Sequence, residues 1–155
     1  MNRSDRRRDP GATTISISSA MPPSGPAPRI DAGLLLLRFG VGALLLFHGV
    51  YKITHGVAWI AGPLGAVGLP PWVAYGVFIG EVVAPVLLIL GLWTRLAGLV
   101  IAFDMFMAIF LARRADIGKI SEMGGGLAIE LELLFLVGGL TLALTGGGRY
   151  GLSRR

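Results

Sequence analysis

The sequence predicts an all-α fold: an integral membrane four-helix bundle with ionisable side chains inside the bilayer and a disordered N-terminal tail. Three observations lead there. Of 155 residues, 54% are hydrophobic and 15% charged, against about 25% charged in an average soluble domain, and mean hydropathy is +0.72. The apolar residues gather in four runs, near 32–54, 71–93, 96–113 and 127–146, each close to the ~20 residues a helix needs to cross a bilayer. Charged residues recur inside those runs, where they need partners or a function.

Residues 1–30 read MNRSDRRRDPGATTISISSAMPPSGPAPRI. Arg, Ser and Pro dominate without any helical apolar period, so a disordered tail is expected. The stretch Met1–Pro28 has no continuous apolar core, so no cleaved signal peptide is expected. The four-helix domain is expected over 31–148. Its first connection, 55–70 (HGVAWIAGPLGAVGLP), is apolar but interrupted by Gly62, Pro63, Gly65 and Gly68, too broken to span. A short interfacial helix fits around Val57–Ile60, with Trp59 and Trp72 at headgroup level. Gly91–Thr94 makes a tight turn, and 114–126 (RADIGKISEMGGG) is a polar, Gly-rich loop. Three glycines in TGGGRYGLSRR stop the last helix and leave a short basic tail at 149–155.

Orientation follows from Lys and Arg. Four spans put nine of them on one side: Arg3, Arg6, Arg7, Arg8, Arg29, Arg95, Arg149, Arg154 and Arg155. The other side holds Arg113, Arg114 and Lys119, with Lys52 at its border. The excess places both termini in the cytoplasm, in a cell (inner) membrane. The net charge of +5 sits at chain ends and span edges, where lipid headgroups explain it; no nucleic-acid partner is implied. The absence of cysteine excludes disulfides, thiolate metal sites and thiol redox chemistry.

The chemistry lies in the charges within the spans. Arg38 and His48 fall inside the first run and Lys52 near its outer end. Glu81 is near the middle of the second, Asp104 near the middle of the third, and Glu130 and Glu132 early in the fourth. A charge at a helix centre costs about 2.5–3.5 kcal/mol on insertion scales. At about 100° per residue, Arg38, His48 and Lys52 fall within roughly 80° of one another. Gly42 and Gly49 share that side, as close helix packing requires, so this face points inward. Depth suggests two clusters: Arg38 with Glu81 and Asp104, and Lys52 and His48 with Glu130 or Glu132. Two fixed cations then face four carboxylates, so a carboxylate carries a proton, His48 is protonated, or water enters. Groups in that condition exchange protons or, alternatively, only fix helix register.

Other signals are bland. Pro85, four residues after Glu81, kinks the second helix. His48 and His55 share one helix and make neither a haem nor a metal site. His48 reads as a hydrogen-bonded core residue, His55 as a residue of the water interface, and the Met and Phe residues of IAFDMFMAIF as packing.

The segments LLRFGVGALLLFHGVYKI, GLPPWVAYGVFIGEVVAPVLLILGLWTRLAGL and ELELLFLVGGLTLALTGGGRYGLS resemble the DoxX family of small membrane proteins. The resemblance covers about residues 32–153. It implies a four-helix membrane protein described as an oxidoreductase or quinone-linked subunit. It also places the family's recurrent polar positions on Arg38, His48, Gly49, Lys52, Glu81 and Glu130.

Three functions are open. In a quinone-linked redox subunit, Glu81, Asp104 and His48 exchange protons and Arg38 stabilises an anion, while Lys52, Glu130 and Glu132 form structural ion pairs. No resident cofactor is evident beyond a quinone, so electrons must come from a redox partner protein or from quinol. A small transporter or proton-coupled channel would use the same carboxylates as a homo-oligomer. A membrane scaffold for a soluble redox enzyme would use the basic tail.

Overall fold

The computed structural model describes residues 28–122 and 124–152. The tail expected to be disordered lies outside them, except that Pro28–Ile30 already belong to the first helix. Five helical elements follow: α1 Pro28–His55, α2 Ala61–Ala66 behind a 3₁₀ turn Ala58–Ile60, α3 Pro71–Leu90, α4 Thr94–Ala112 and α5 Glu130–Thr145. The architecture is the all-α membrane bundle that composition predicts. By length and hydropathy α1, α3 and α4 are membrane-spanning candidates, whereas α5, with 16 residues, is about 24 Å long.

Helicity runs further through the first connection than its glycines and proline suggest. Pro63 falls in the first turn of α2, where its missing N–H would have no helical partner anyway. The 114–126 loop is likewise ordered, with a 3₁₀ turn Arg114–Asp116 and an antiparallel bridge between Ile120 and Leu127.

Helix α3 is composite. It opens as a 3₁₀ helix over Pro71–Gly76, widens into a π turn over Ile79–Val83 and continues as α-helix from Ala84 to Leu90. Pro85 has no N–H to offer the carbonyl of Glu81 four residues back, and the widened turn lies directly before it. Gly91, at φ 69°, ends the helix. The bonds from Gly91 N–H to Leu88 O (3.0 Å) and from Leu92 N–H to Leu87 O (2.9 Å) complete a Schellman cap.

The interior is apolar, built from Val41, Leu45, Leu88, Ile101, Met105, Phe135 and Leu142. Leu36, Phe47, Leu134 and Leu144 point outward, as a lipid-facing surface requires. Glycines bring the helices together. Gly49 packs on the Glu81 backbone and Gly42 on Pro85 and Ile89, which seats α1 on α3. At the α4–α5 crossing, Gly98 and Gly139 each lie against the other's carbonyl. A Cβ at Gly98 would stand 2.6 Å from Gly139 O and 2.8 Å from Ala143 N, whereas one at Gly40 would meet nothing within 4 Å.

Gly98→Ala should therefore lower stability in detergent by about 1–3 kcal/mol, the range for overpacking. Gly40→Ala should leave the melting temperature unchanged or raise it. Equal melting temperatures for the two variants would contradict the tight α4–α5 crossing.

Candidate functional site

The bundle has two polar centres, one at each end of α1. The first is built around the π turn of α3. Glu81 is 4% exposed, and its Oε1 accepts a hydrogen bond from the Lys52 ammonium on α1. The ammonium also lies 5.7 Å from the centre of the Trp59 ring, a favourable cation–π position. The second carboxylate oxygen of Glu81, Oε2, is buried without a hydrogen-bond partner among the described residues. Asp104 on α4 presses its carboxyl group against Gly80, where a Cβ would overlap it, and its Oδ2 is also buried and unpartnered. The ammonium pairs with Glu81, and the neighbouring Asp104 carboxyl group has no ion-pair partner among the described residues. A negative charge is left over unless a proton or a ligand supplies the missing donor.

This centre opens on a cavity of about 450 Å³. Leu45, Met105, Ala108, Leu131 and Phe135 give it apolar walls, and Tyr51 and Trp59 add aromatic ones. Lys52, Glu81 and His48 are its polar groups, and Arg113 and Glu132 also line it. The size and the ratio of apolar to polar walls are those of a small-molecule site. Arg113 Nε lies 3.5 Å from both Glu132 Oε1 and Asp116 Oδ2, and its guanidinium donates to Ala128 O. It thereby ties the end of α4 to the start of α5.

Among the described residues, the second centre contains no carboxylate–cation pair. Arg38, 1% exposed, donates from Nε to Leu88 O (3.0 Å), from Nη1 to Gly147 O (2.8 Å) and from Nη2 to Ile89 O (3.5 Å). The N–H of Leu152 reaches Leu90 O at 3.4 Å. The closing carbonyls of α3 are therefore met by a guanidinium and by the C-terminal segment. A Cβ at Gly91 would come within 2.6 Å of Arg38 Nη2, and one at Gly147 within 3.1 Å of Nη1, so glycine at both positions makes room for the cation. Asp31, fully buried, accepts the Arg149 N–H at 3.0 Å and holds the same segment from the other side.

The two clusters expected from depth are accordingly repartitioned. Lys52 pairs with Glu81 rather than with Glu130 or Glu132, because its long stem turns inward to meet the π turn. Arg38 stands about 21 Å further along α1 and pairs with neither Glu81 nor Asp104, so it does not line the cavity as an anion-stabilising group there. Glu132 pairs with Arg113. Glu130 is exposed, folded back over Gly126, and has no ion-pair partner among the described residues. His48 is exposed rather than a hydrogen-bonded core residue. It sits at the edge of the inward arc, where its ring meets Phe135 edge-on at 6.0 Å. His55, at the end of α1, stacks on Tyr51 at 4.0 Å.

Asp31 and Arg113 carry polar roles that the sequence reading did not assign. Asp31 carried one signal, an acid in the first turn of a helix, which is favourable there for electrostatic reasons. Thr94 is buried beside Gly147.

A helical membrane protein with a buried ammonium–carboxylate pair facing an apolar-walled cavity is the class these features define. Residues 33–114 match the family model DoxX, and the chain belongs to the DoxX family. The matched region contains Arg38, His48, Lys52, Glu81 and Asp104, but not Glu130 or Glu132. Among similar proteins, an uncharacterized protein of Haemophilus influenzae is 37% identical over 66% of this chain and 78% of its own length. A protein of Bacillus subtilis named "Putative oxidoreductase CatD" is 33% identical over 75% of this chain and 81% of its own. An uncharacterized membrane protein of Mycobacterium tuberculosis is 28% identical over 91% of this chain and 93% of its own. No solved structure matches.

Removing the cation from Glu81 should be costly. Lys52→Met should lower stability in detergent by about 3–5 kcal/mol, as for a broken buried pair, and Lys52→Met/Glu81→Leu should recover most of it. Recovery by Arg38→Met/Glu81→Leu relative to Arg38→Met would instead make Arg38 the partner of Glu81.

Proposed function

We propose that this protein is a quinone-linked oxidoreductase subunit whose Lys52–Glu81–Asp104 centre exchanges protons with a quinone in the adjoining cavity. The observation that carries the reading is the buried, unpartnered Glu81 Oε2 in a residue that itself lines the apolar-walled cavity. A quinone supplies two-electron redox chemistry coupled to two protons, and its ring is flat, apolar and tipped by carbonyl oxygens. The Lys52 ammonium is the group that donates to such an oxygen and offsets negative charge there, the part that depth alone assigns to Arg38. Glu81 and Asp104 hold and pass the proton, because the Lys52–Glu81 pair leaves the Asp104 carboxyl group beside Gly80 to be neutralised. His48, on the same cavity wall, is the remaining group able to relay it.

Electrons reach the site from a redox partner protein or from quinol. The oxidoreductase name of the B. subtilis relative supports the same class of reaction. The Lys and Arg distribution supports a cell-membrane location with both termini in the cytoplasm. Asp31 and Arg149, close to the first and last described residues, meet at one end of the bundle, in keeping with that arrangement.

Trp59, on the cavity wall, provides the test. A short-chain quinone added to the purified protein should quench its fluorescence saturably, and Trp59→Phe should lose the saturable part. Ala108→Phe, which fills the cavity, should weaken binding about tenfold or more, ~1.4 kcal/mol. Folded Glu81→Gln should bind but lose quinone-dependent turnover in native membranes. Linear quenching that is the same in all variants would contradict the reading.

A further inference from the structure

A second cavity, of about 620 Å³, lies between the end of α1, the α2 connection and the start of α3. Its walls include Val57, Ala58, Trp72, Tyr75 and Phe78, and its charged lining residue is Lys52, which also lines the first cavity. The two spaces therefore adjoin across one side chain. They differ in chemistry: the first is lined by two carboxylates, a guanidinium and the imidazole, whereas the second offers apolar and aromatic surface without a carboxylate or histidine among its lining residues. Trp72 and Tyr75 are 72% and 64% exposed, amphipathic rings of the kind that stand where a bilayer meets water.

We propose that the second cavity takes the isoprenoid tail of the quinone whose head occupies the first, so that the ligand is a polyprenyl quinone threaded past Lys52. The inference rests on the quinone reading and adds the substrate class to it. A head with two carbonyl oxygens needs a donor, and the Lys52 ammonium stands on the cavity wall beside Glu81 to supply one. A branched hydrocarbon tail needs none and gains by leaving water for an apolar groove, at roughly 0.8 kcal/mol per buried methylene. The stem of Lys52 is four methylenes long, so it can border a hydrocarbon chain on one side while its ammonium stays with Glu81 on the other. Continuity across Lys52 is what selects this occupant over an unrelated lipid chain, since the tail begins where the head ends.

The experiment compares two benzoquinones with the same ring, one without a tail and one carrying two isoprene units. Both are titrated into the full-length protein in the same detergent and followed by Trp59 quenching. Wild type should bind the tailed quinone at least about tenfold more tightly. Ala58→Phe, which fills the second cavity from its exposed rim, should erase most of that preference while binding the tailless quinone as wild type does. Tyr75→Ala, at an exposed wall position, should reduce the preference without altering tailless binding, and it keeps the test open if Ala58→Phe does not fold. An undiminished tail preference in both folded variants would overturn the inference and mean that the tail lies in detergent or lipid. Failure of the tailless quinone to bind wild type would instead overturn the quinone reading itself.

Discussion

A glutamate that α3 carries into the bundle has to find a cation there, and Lys52 is the one within reach. Much of the half of the molecule around Lys52 follows from that constraint. Pro85 withholds a hydrogen bond from the Glu81 carbonyl, the helix widens over Ile79–Val83, and Gly49 lets α1 approach that carbonyl closely. The approach brings Lys52, one turn further on, to the Glu81 carboxylate. Gly80 does the same on the other side for α4, admitting the Asp104 carboxyl against the backbone. The cavity is the space left where α1, α4 and α5 meet around this pair, and its polar wall is the pair itself.

The opposite end solves a different problem by a different route. Helix α3 ends within the bundle, and its last carbonyls need donors that lipid cannot supply. Arg38 provides several in a fixed fork, at the negative end of the helix dipole, so a buried guanidinium is accommodated without a carboxylate partner. The C-terminal segment completes the arrangement: Gly147 accepts from Arg38 and Arg149 donates to Asp31. The two ends therefore divide the buried charges between them, one architectural and one facing a cavity.

Much of this was legible in the sequence. Hydropathy located the apolar runs, and the inward face of α1 was readable from Gly42, Gly49, Arg38 and Lys52 at helical spacing. Glu81 beside Pro85 was visible as a distinctive position. The partners were not legible, because depth along a helix orders residues vertically but says nothing of which way a long side chain bends. Lys52 pairs with Glu81 where depth assigned it to Glu130 or Glu132, and Arg38 found carbonyls where a carboxylate was sought. Backbone acceptors have no sequence signature, so the glycines at 91 and 147 looked like turn residues alone. Asp31 was hidden by its position at the edge of a charged tail.

The account stands on the identity of the cation beside Glu81, and solid-state NMR of the labelled protein in lipid bilayers measures it directly. Dipolar coupling between Lys52 Nζ and the Glu81 carboxyl carbon should be strong, with none between the Arg38 guanidinium and either Glu81 or Asp104. Glu81 coupled to Arg38, or a Lys52 ammonium coupled to no carboxyl group, would contradict the site and the function proposed for it.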